Sequence, residues 1–199
     1  MDRLPQPTDT EDHRQLPVSL LDLKEQLRIE HDEQDRLLLR SIIAATSQAE
    51  GMIGTAVMLR SFDLVLDGFP SGTDGIEFPN PPIRSITSIT YYDSNGDSQP
   101  LDSASYFLSL SSAFPMARLS PGYAWPGTQT RENAVTVRYV AGYASKPSAI
   151  PGALSWAIQL RAATLFANSE EAGIGAVSWG VISEVRMEEM IRSFKVMRV

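Results

Sequence analysis

The sequence predicts an α+β fold: a helical body with two N-terminal helices and, after an antiparallel β-rich insertion, one long and one short C-terminal helix. Two observations carry this. Apolar residues recur at three- and four-residue spacing towards both ends, whereas from Thr55 to Tyr143 they alternate with polar residues in short runs separated by Pro and Gly. At 199 residues, 43% of them hydrophobic, the chain can build one well-packed domain with extensions.

Residues 1–17 hold three prolines and several acidic residues without apolar periodicity, and are expected to form a flexible N-terminal arm. Residues 18–172 are expected to form the main domain, with its β-rich insertion over about 55–143. Ser19-Leu20-Leu21-Asp22 has the form of a capping box, so a short helix starts there and runs to about Ile29, with Leu20, Leu23 and Leu27 on one face. His31-Asp32-Glu33-Gln34-Asp35 places carboxylates at the positive end of a second helix. Leu38, Ile42, Ala45, Ala49 and Ile53 give that helix a continuous stripe, ending near Gly54.

In the insertion, Phe62, Leu64 and Leu66 mark a strand. Asn95-Gly96, two residues that readily take positive φ, mark a hairpin between Ile86–Tyr92 and Gln99–Leu101. Further strands are expected at Ile76–Phe78, Tyr106–Leu110 and Ala134–Val140. Ile150-Pro151 opens a long helix faced by Leu154, Ile158, Leu160, Leu165 and Phe166, which Asn168 and Ser169 should end. Residues 173–199 comprise a Gly-rich connector (Gly173 to Gly180), an amphipathic helix over Glu184–Phe194 and a short tail.

The net charge of −7 disfavours a conventional DNA grip, which needs clustered Lys and Arg. With no cysteine, disulfides, thiolate nucleophiles and Cys-based zinc sites are excluded. The N-terminus lacks the apolar core of a signal peptide and no run is long enough to span a membrane, so a soluble protein made in the cytoplasm is expected.

Only two histidines are present, His13 in the arm and His31 between the first helices, which leaves little material for a triad or a His-rich metal site. His31 and Asp35 have the spacing of a ligand pair but lack a third partner, so a solvated helix start is the expectation. Asp93-Ser94-Asn95-Gly96-Asp97 resembles a calcium loop superficially. Its glycine falls at the fourth position instead of the sixth and no glutamate closes the loop, so a hairpin turn is expected. Nucleophile-elbow, phosphate-loop and dinucleotide fingerprints are missing. No catalytic residue, metal ligand or cofactor is assigned. A carboxylate hydrolase built from pairs among Asp63, Asp67, Asp74 and Glu77 is the competing enzyme reading, and it requires two of them to converge in a pocket.

The order of the pieces resembles the head–tail connector (adaptor, or head-completion) proteins of tailed phages and related gene transfer agents. The resemblance spans about residues 17–195. It rests on Val18-Ser19-Leu20-Leu21-Asp22-Leu23-Lys24, on Leu27-Arg28-Ile29 followed by His31 to Asp35, and on the long helix into Ala49-Glu50-Gly51. It continues in Ile76-Glu77-Phe78-Pro79 with Pro81-Pro82-Ile83, in Ser85 to Asp93, and in Ala134 to Tyr143.

What the resemblance implies is a non-enzymatic virion subunit, made in the bacterial cytoplasm. It would assemble into a homo-oligomeric ring, usually a dodecamer, between the portal protein and a stopper or tail-terminator. DNA would pass through its lumen without specific binding, and an acidic wall suits that passage because it repels phosphate. The implied portal contact is the C-terminal helix and tail: Met187, Met190, Ile191, Phe194, Lys195, Val196, Met197, Arg198 and Val199. The same apolar stripe is by default core packing for the helix itself, whereas the last five residues mix cations with apolar side chains beyond the helix end. The family often closes with a proline-bearing helix end, which this chain lacks. Contacts to neighbouring subunits or the stopper are expected at Tyr91, Tyr92, Asn95 and Gly96 of the hairpin and at Trp179. A different virion ring component, such as a stopper or tail-terminator, is the nearest alternative, and a β-barrel body would favour it.

Overall fold

The computed structural model describes residues 6–7, 16–72, 74–110, 115–168 and 185–195. These fall into two compact units: a helical unit formed by residues 13–58 and 143–199, and a β unit formed by residues 1–12 and 59–142.

In the helical unit, α1 (Leu20–Leu27) begins where Ser19 Oγ accepts the Asp22 N–H at 3.0 Å, as its capping sequence predicts. It ends on Arg28, whose left-handed backbone (φ 57°) lets Arg28 N and Ile29 N close onto the Glu25 and Lys24 carbonyls. Helix α2 (Asp35–Ile53) starts later than the acidic run suggests. It stops at Gly54, which takes φ 72° and donates its N–H to Glu50 O, a conformation costly for any residue with a Cβ. Helix α3 (Gly152–Ala167) follows Pro151, and a fourth helix, α4, covers residues 185–191 before a turn over Arg192–Phe194.

One core joins these helices. Leu38, Ile42, Ala45, Ala49 and Ile53 of α2 pack with Leu154, Ala157, Ile158 and Ala162 of α3, and Leu23 of α1 and Met187 and Ile191 of α4 complete it. The alanines at 45, 49, 157 and 162 let two helices approach closely, so burial here depends on backbone proximity as well as on large side chains. Arg161 is buried in this unit, with its Nε donating to Gln48 Oε1 at 2.7 Å. The two chain crossings at the root of the insertion are tied together. Met58 bridges Ala144, Tyr143 N donates to Val57 O, and Glu50 Oε1 accepts Val57 N at 2.9 Å.

The β unit contains β1 (Gln6–Pro7), β2 (Arg60–Leu66), β3 (Ile76–Glu77), β4 (Ile83–Tyr92), β5 (Ser98–Pro100), β6 (Tyr106–Ser109), β7 (Met116–Leu119) and β8 (Val135–Ala141). They form a five-stranded antiparallel sheet, order β1-β2-β8-β4-β5, and a three-stranded antiparallel sheet, order β3-β7-β6. Two residues of the expected arm, Gln6 and Pro7, thus pair with Asp63 and Phe62; the rest of residues 1–15 lies outside the described residues.

Strand β8 shows why the large sheet has one wet and one dry face. Val135, Val137, Tyr139 and Ala141 are buried, while Arg138 between them is exposed. Tyr139 has ring centroids 5.6 Å from Phe62 and 4.9 Å from Phe78, and its hydroxyl donates to Pro79 O at 3.2 Å. On the wet face Arg138 makes a two-pronged ion pair with Asp63, directly across the β2–β8 register, at 2.8 Å for each contact.

Candidate interaction surfaces

The hairpin between β4 and β5 is a turn built around one carboxylate. Asp93 Oδ1 accepts N–H groups from Asn95 (2.8 Å) and Asp97 (3.1 Å), and Oδ2 accepts Gln99 Nε2 at 3.2 Å. These bonds, led by the Asp97 N–H, hold the Asp93 carboxyl below its ordinary pKa. The sequence reading of two positive-φ residues needs correction: Gly96 takes φ 90°, and Asn95 does not take positive φ. Gly96 N instead donates to Asp93 O across a four-residue turn, so only the closing position needs glycine.

Above this turn Tyr91 and Tyr92 diverge, as neighbours in a strand must. Tyr91 meets Phe69 edge-on at 5.5 Å, and Phe69 stacks on Trp125 at 4.9 Å. Tyr92 lies under the Arg131 guanidinium, 4.1 Å from its ring centroid. Both tyrosines are half-buried within their own unit, and Asn95 is exposed at the tip. Trp179 and the Gly173–Gly180 connector lie outside the described residues.

At the C-terminus, Met187 and Ile191 are each 1% exposed in the core of the helical unit. Met190 and Phe194 pack against that core, Phe194 meeting Tyr143 edge-on at 5.9 Å. Lys195 is exposed, and Val196, Met197, Arg198 and Val199 lie outside the described residues. The opposite face of α4 presents Val185, Arg186, Glu188 and Glu189 to solvent, and Arg192 in the following turn is also exposed.

The helical unit leaves Leu21 on α1, Leu37 and Ile43 on α2, Trp156 on α3 and Val185 on α4 exposed; the spacing of the last segment places Val185 on the apolar stripe with Met187, Met190, Ile191 and Phe194, and the structure instead turns it to solvent. Trp156 falls off the stripe of Leu154, Ala157, Ile158 and Arg161 that α3 buries. Leu21 borders an open groove of about 920 Å³ that Leu20 and Ile29 also line, together with both cations (Lys24, Arg28) and carboxylates (Glu25, Glu30, Asp32).

Of the carboxylates named for an enzyme reading, Asp63 and Asp67 hold structural partners, Asp74 is bonded through its backbone, and Glu77 is exposed. Asp63 is paired with Arg138, Asp67 Oδ1 accepts the Asn133 N–H at 2.9 Å, and the Asp74 carbonyl accepts Trp125 Nε1 at 3.0 Å. Asp35 is bound by Lys24 at 2.8 Å, so its acidic oxygen serves the α1–α2 corner instead of a His31 ligand pair. Among the described residues no cluster of three or more His, Asp or Glu could hold a metal ion, and no helix is long and apolar enough to cross a membrane.

The described residues form a helical unit and a β unit inserted between its two halves in sequence. Residues 17–106 match the family model described as "Phage gp6-like head-tail connector protein", a stretch running from just before α1 to the first residue of β6. No curated protein matches. Among solved structures, similar chains come from "Virion of native gene transfer agent (GTA) particle" (24% identity, TM-score 0.76), "Neck of empty GTA particle computed with C6 symmetry" (22%, 0.75) and "Neck of native GTA particle computed with C12 symmetry" (23%, 0.74). Each similarity covers 99% of this chain and 97% of the other. The likeness establishes a shared fold over the whole length, α+β with helices at both ends.

Proposed function

We propose that this chain is a structural, non-catalytic adaptor that forms a ring, a dodecamer, beneath the portal of a tailed-phage-like particle. The ring would carry the stopper or tail-terminator on its other side and pass DNA through its lumen. The observation that carries the reading is the coincidence of a connector-family match over residues 17–106 with a full-length fold shared with chains of gene transfer agent necks. The helical unit bracketing a β insertion, in place of a β-barrel body, favours an adaptor over a stopper. The net charge of −7 suits a passage that lets DNA slide.

For the portal contact we assign separate roles within the C-terminal segment. Met187, Met190, Ile191 and Phe194 anchor α4 on its own unit, and they hold Lys195, Val196, Met197, Arg198 and Val199 in position to enter a portal groove. The hairpin residues Tyr91, Tyr92, Asn95 and Gly96, and Trp179, face neighbouring subunits or the stopper. The test is co-sedimentation of the full chain, and of a chain ending at Lys195, with a purified dodecameric portal. Ending at Lys195 spares Ile191 and Phe194, so loss of binding cannot be blamed on a damaged core. The full chain should bind and the shortened one should bind weakly; failure of the full chain to bind overturns the adaptor reading.

A further inference from the structure

The three-stranded sheet ends on two edges whose hydrogen-bonding parity follows from its register. Ser120 N donates to Ser105 O at 2.9 Å, in line with the register that pairs Tyr106 with Leu119. In an antiparallel pair, mutually bonded residues alternate with unbonded ones. Phe107 therefore bonds inward to β7, while Tyr106 and Leu108 direct their N–H and C=O groups away from the sheet. On the other edge Phe78 N donates to Pro115 O at 3.0 Å. By the same alternation Ile76 bonds inward to Ala117, and Glu77 directs its backbone outward.

The side chains on these edges are complementary. Phe107 is 47% exposed and Leu110 63%, an apolar display that water-facing edge strands normally avoid. Phe107 lies opposite Arg118, and Glu77 opposite Met116, so Phe107, Arg118 and Glu77 share one face of the sheet. Arg118 and Glu77 are exposed, and neither has an ion-pair partner among the described residues; Arg118 reaches only Met116 Sδ, at 3.6 Å. Trp125 bonds the Asp74 carbonyl just before β3 and leaves Glu77 exposed.

We propose that β6 of one copy pairs with β3 of the next, joining the small sheets edge to edge around the ring. This rests on the ring reading above and names the surface that builds it. Both strands run antiparallel to β7, so they are parallel to each other, and the joined strands form a parallel ladder between Tyr106 and Leu108 of one copy and Glu77 of the next. The contact is head-to-tail, using two different patches, which is the geometry that closes rings. Phe107 becomes covered. Arg118 lies one strand in from the edge, about 10 Å from the next copy's Glu77 backbone, within the combined reach of the two side chains.

The experiment is sedimentation velocity of the full chain with and without a portal ring as template, on the unaltered protein, E77R, R118E, the E77R/R118E double variant and F107D. All three sites are exposed, so circular dichroism should show the fold intact. Each single charge reversal should raise the concentration for half-assembly about tenfold. The double variant should return it towards the original value, and F107D should abolish rings. Rings that ignore the reversals and F107D, or a double variant no better than the singles, overturn the edge pairing while leaving the adaptor reading in place. Absence of rings from the unaltered chain under both conditions overturns the ring reading itself.

Discussion

Replacing Ile191 by alanine distinguishes two uses of the same stripe on α4. If Ile191 belongs to the chain's own core, where it is 1% exposed among α2 and α3 side chains, the substitution removes buried carbon and leaves a cavity between helices. Such changes cost about 2–5 kcal/mol. With a urea dependence of about 1–3 kcal/mol per molar, a loss near the middle of that range lowers the unfolding midpoint of the helical unit by roughly 1–2 M. Met187→Ala, at a site equally buried, should behave alike. Glu188→Ala, on the exposed face, should change stability by no more than about 0.5 kcal/mol. Urea titration followed by far-ultraviolet circular dichroism reads all three. The reasoning is refuted if Ile191→Ala leaves the midpoint unchanged while weakening portal binding, because the stripe would then be completed by the partner.

Two further outcomes are expected. Ser19→Ala removes the acceptor for the Asp22 N–H and should cost about 1 kcal/mol in the same urea titration, whereas Ser19→Asp, which keeps a capping oxygen, should cost less. Lys24 sits 2.6 Å from Asp32 and 2.8 Å from Asp35; its bond holds the Asp32 carboxyl below its ordinary 3.8, and the bonds to Asp32 and then Asp35 hold the Lys24 ammonium above its ordinary 10.5. The Asp32 contribution is thus full above pH 3.8 and lost as pH falls through its lower folded value, and the Lys24 contribution is full below pH 10.5 and lost as pH rises through its higher folded value. Lys24→Met should raise the Asp32 titration midpoint, read by carboxyl NMR; an unmoved midpoint would show the contact is not formed in solution.

The helices were legible because their signals are local and redundant. Ser19 and Gly54 mark boundaries through backbone chemistry that depends on no distant residue, and the α2 stripe from Leu38 to Ile53 repeats often enough to fix its face. Strand β7 was missed because Met116–Leu119 is short, follows Pro115 and lacks alternation between apolar and polar residues; β6 and β3 on either side create it. Strand β1 was missed for a related reason. Pro7 is a poor strand former, and only pairing with Phe62, 55 residues away, reveals its role. The contact surfaces were less legible than the fold, since a stripe such as Met187–Ile191 reads identically whether its own unit or a partner covers it. Phe107 gave no signal because exposure on an edge strand depends on which neighbours the sheet supplies.

The central claim is that this chain joins a filled head to a tail, and the most direct test is electron microscopy of particles assembled in producing cells that lack it. The account predicts heads and tails accumulating separately, with joining restored when purified full-length chain is added to the extract. Tailed particles of normal yield in the absence of the chain would contradict it.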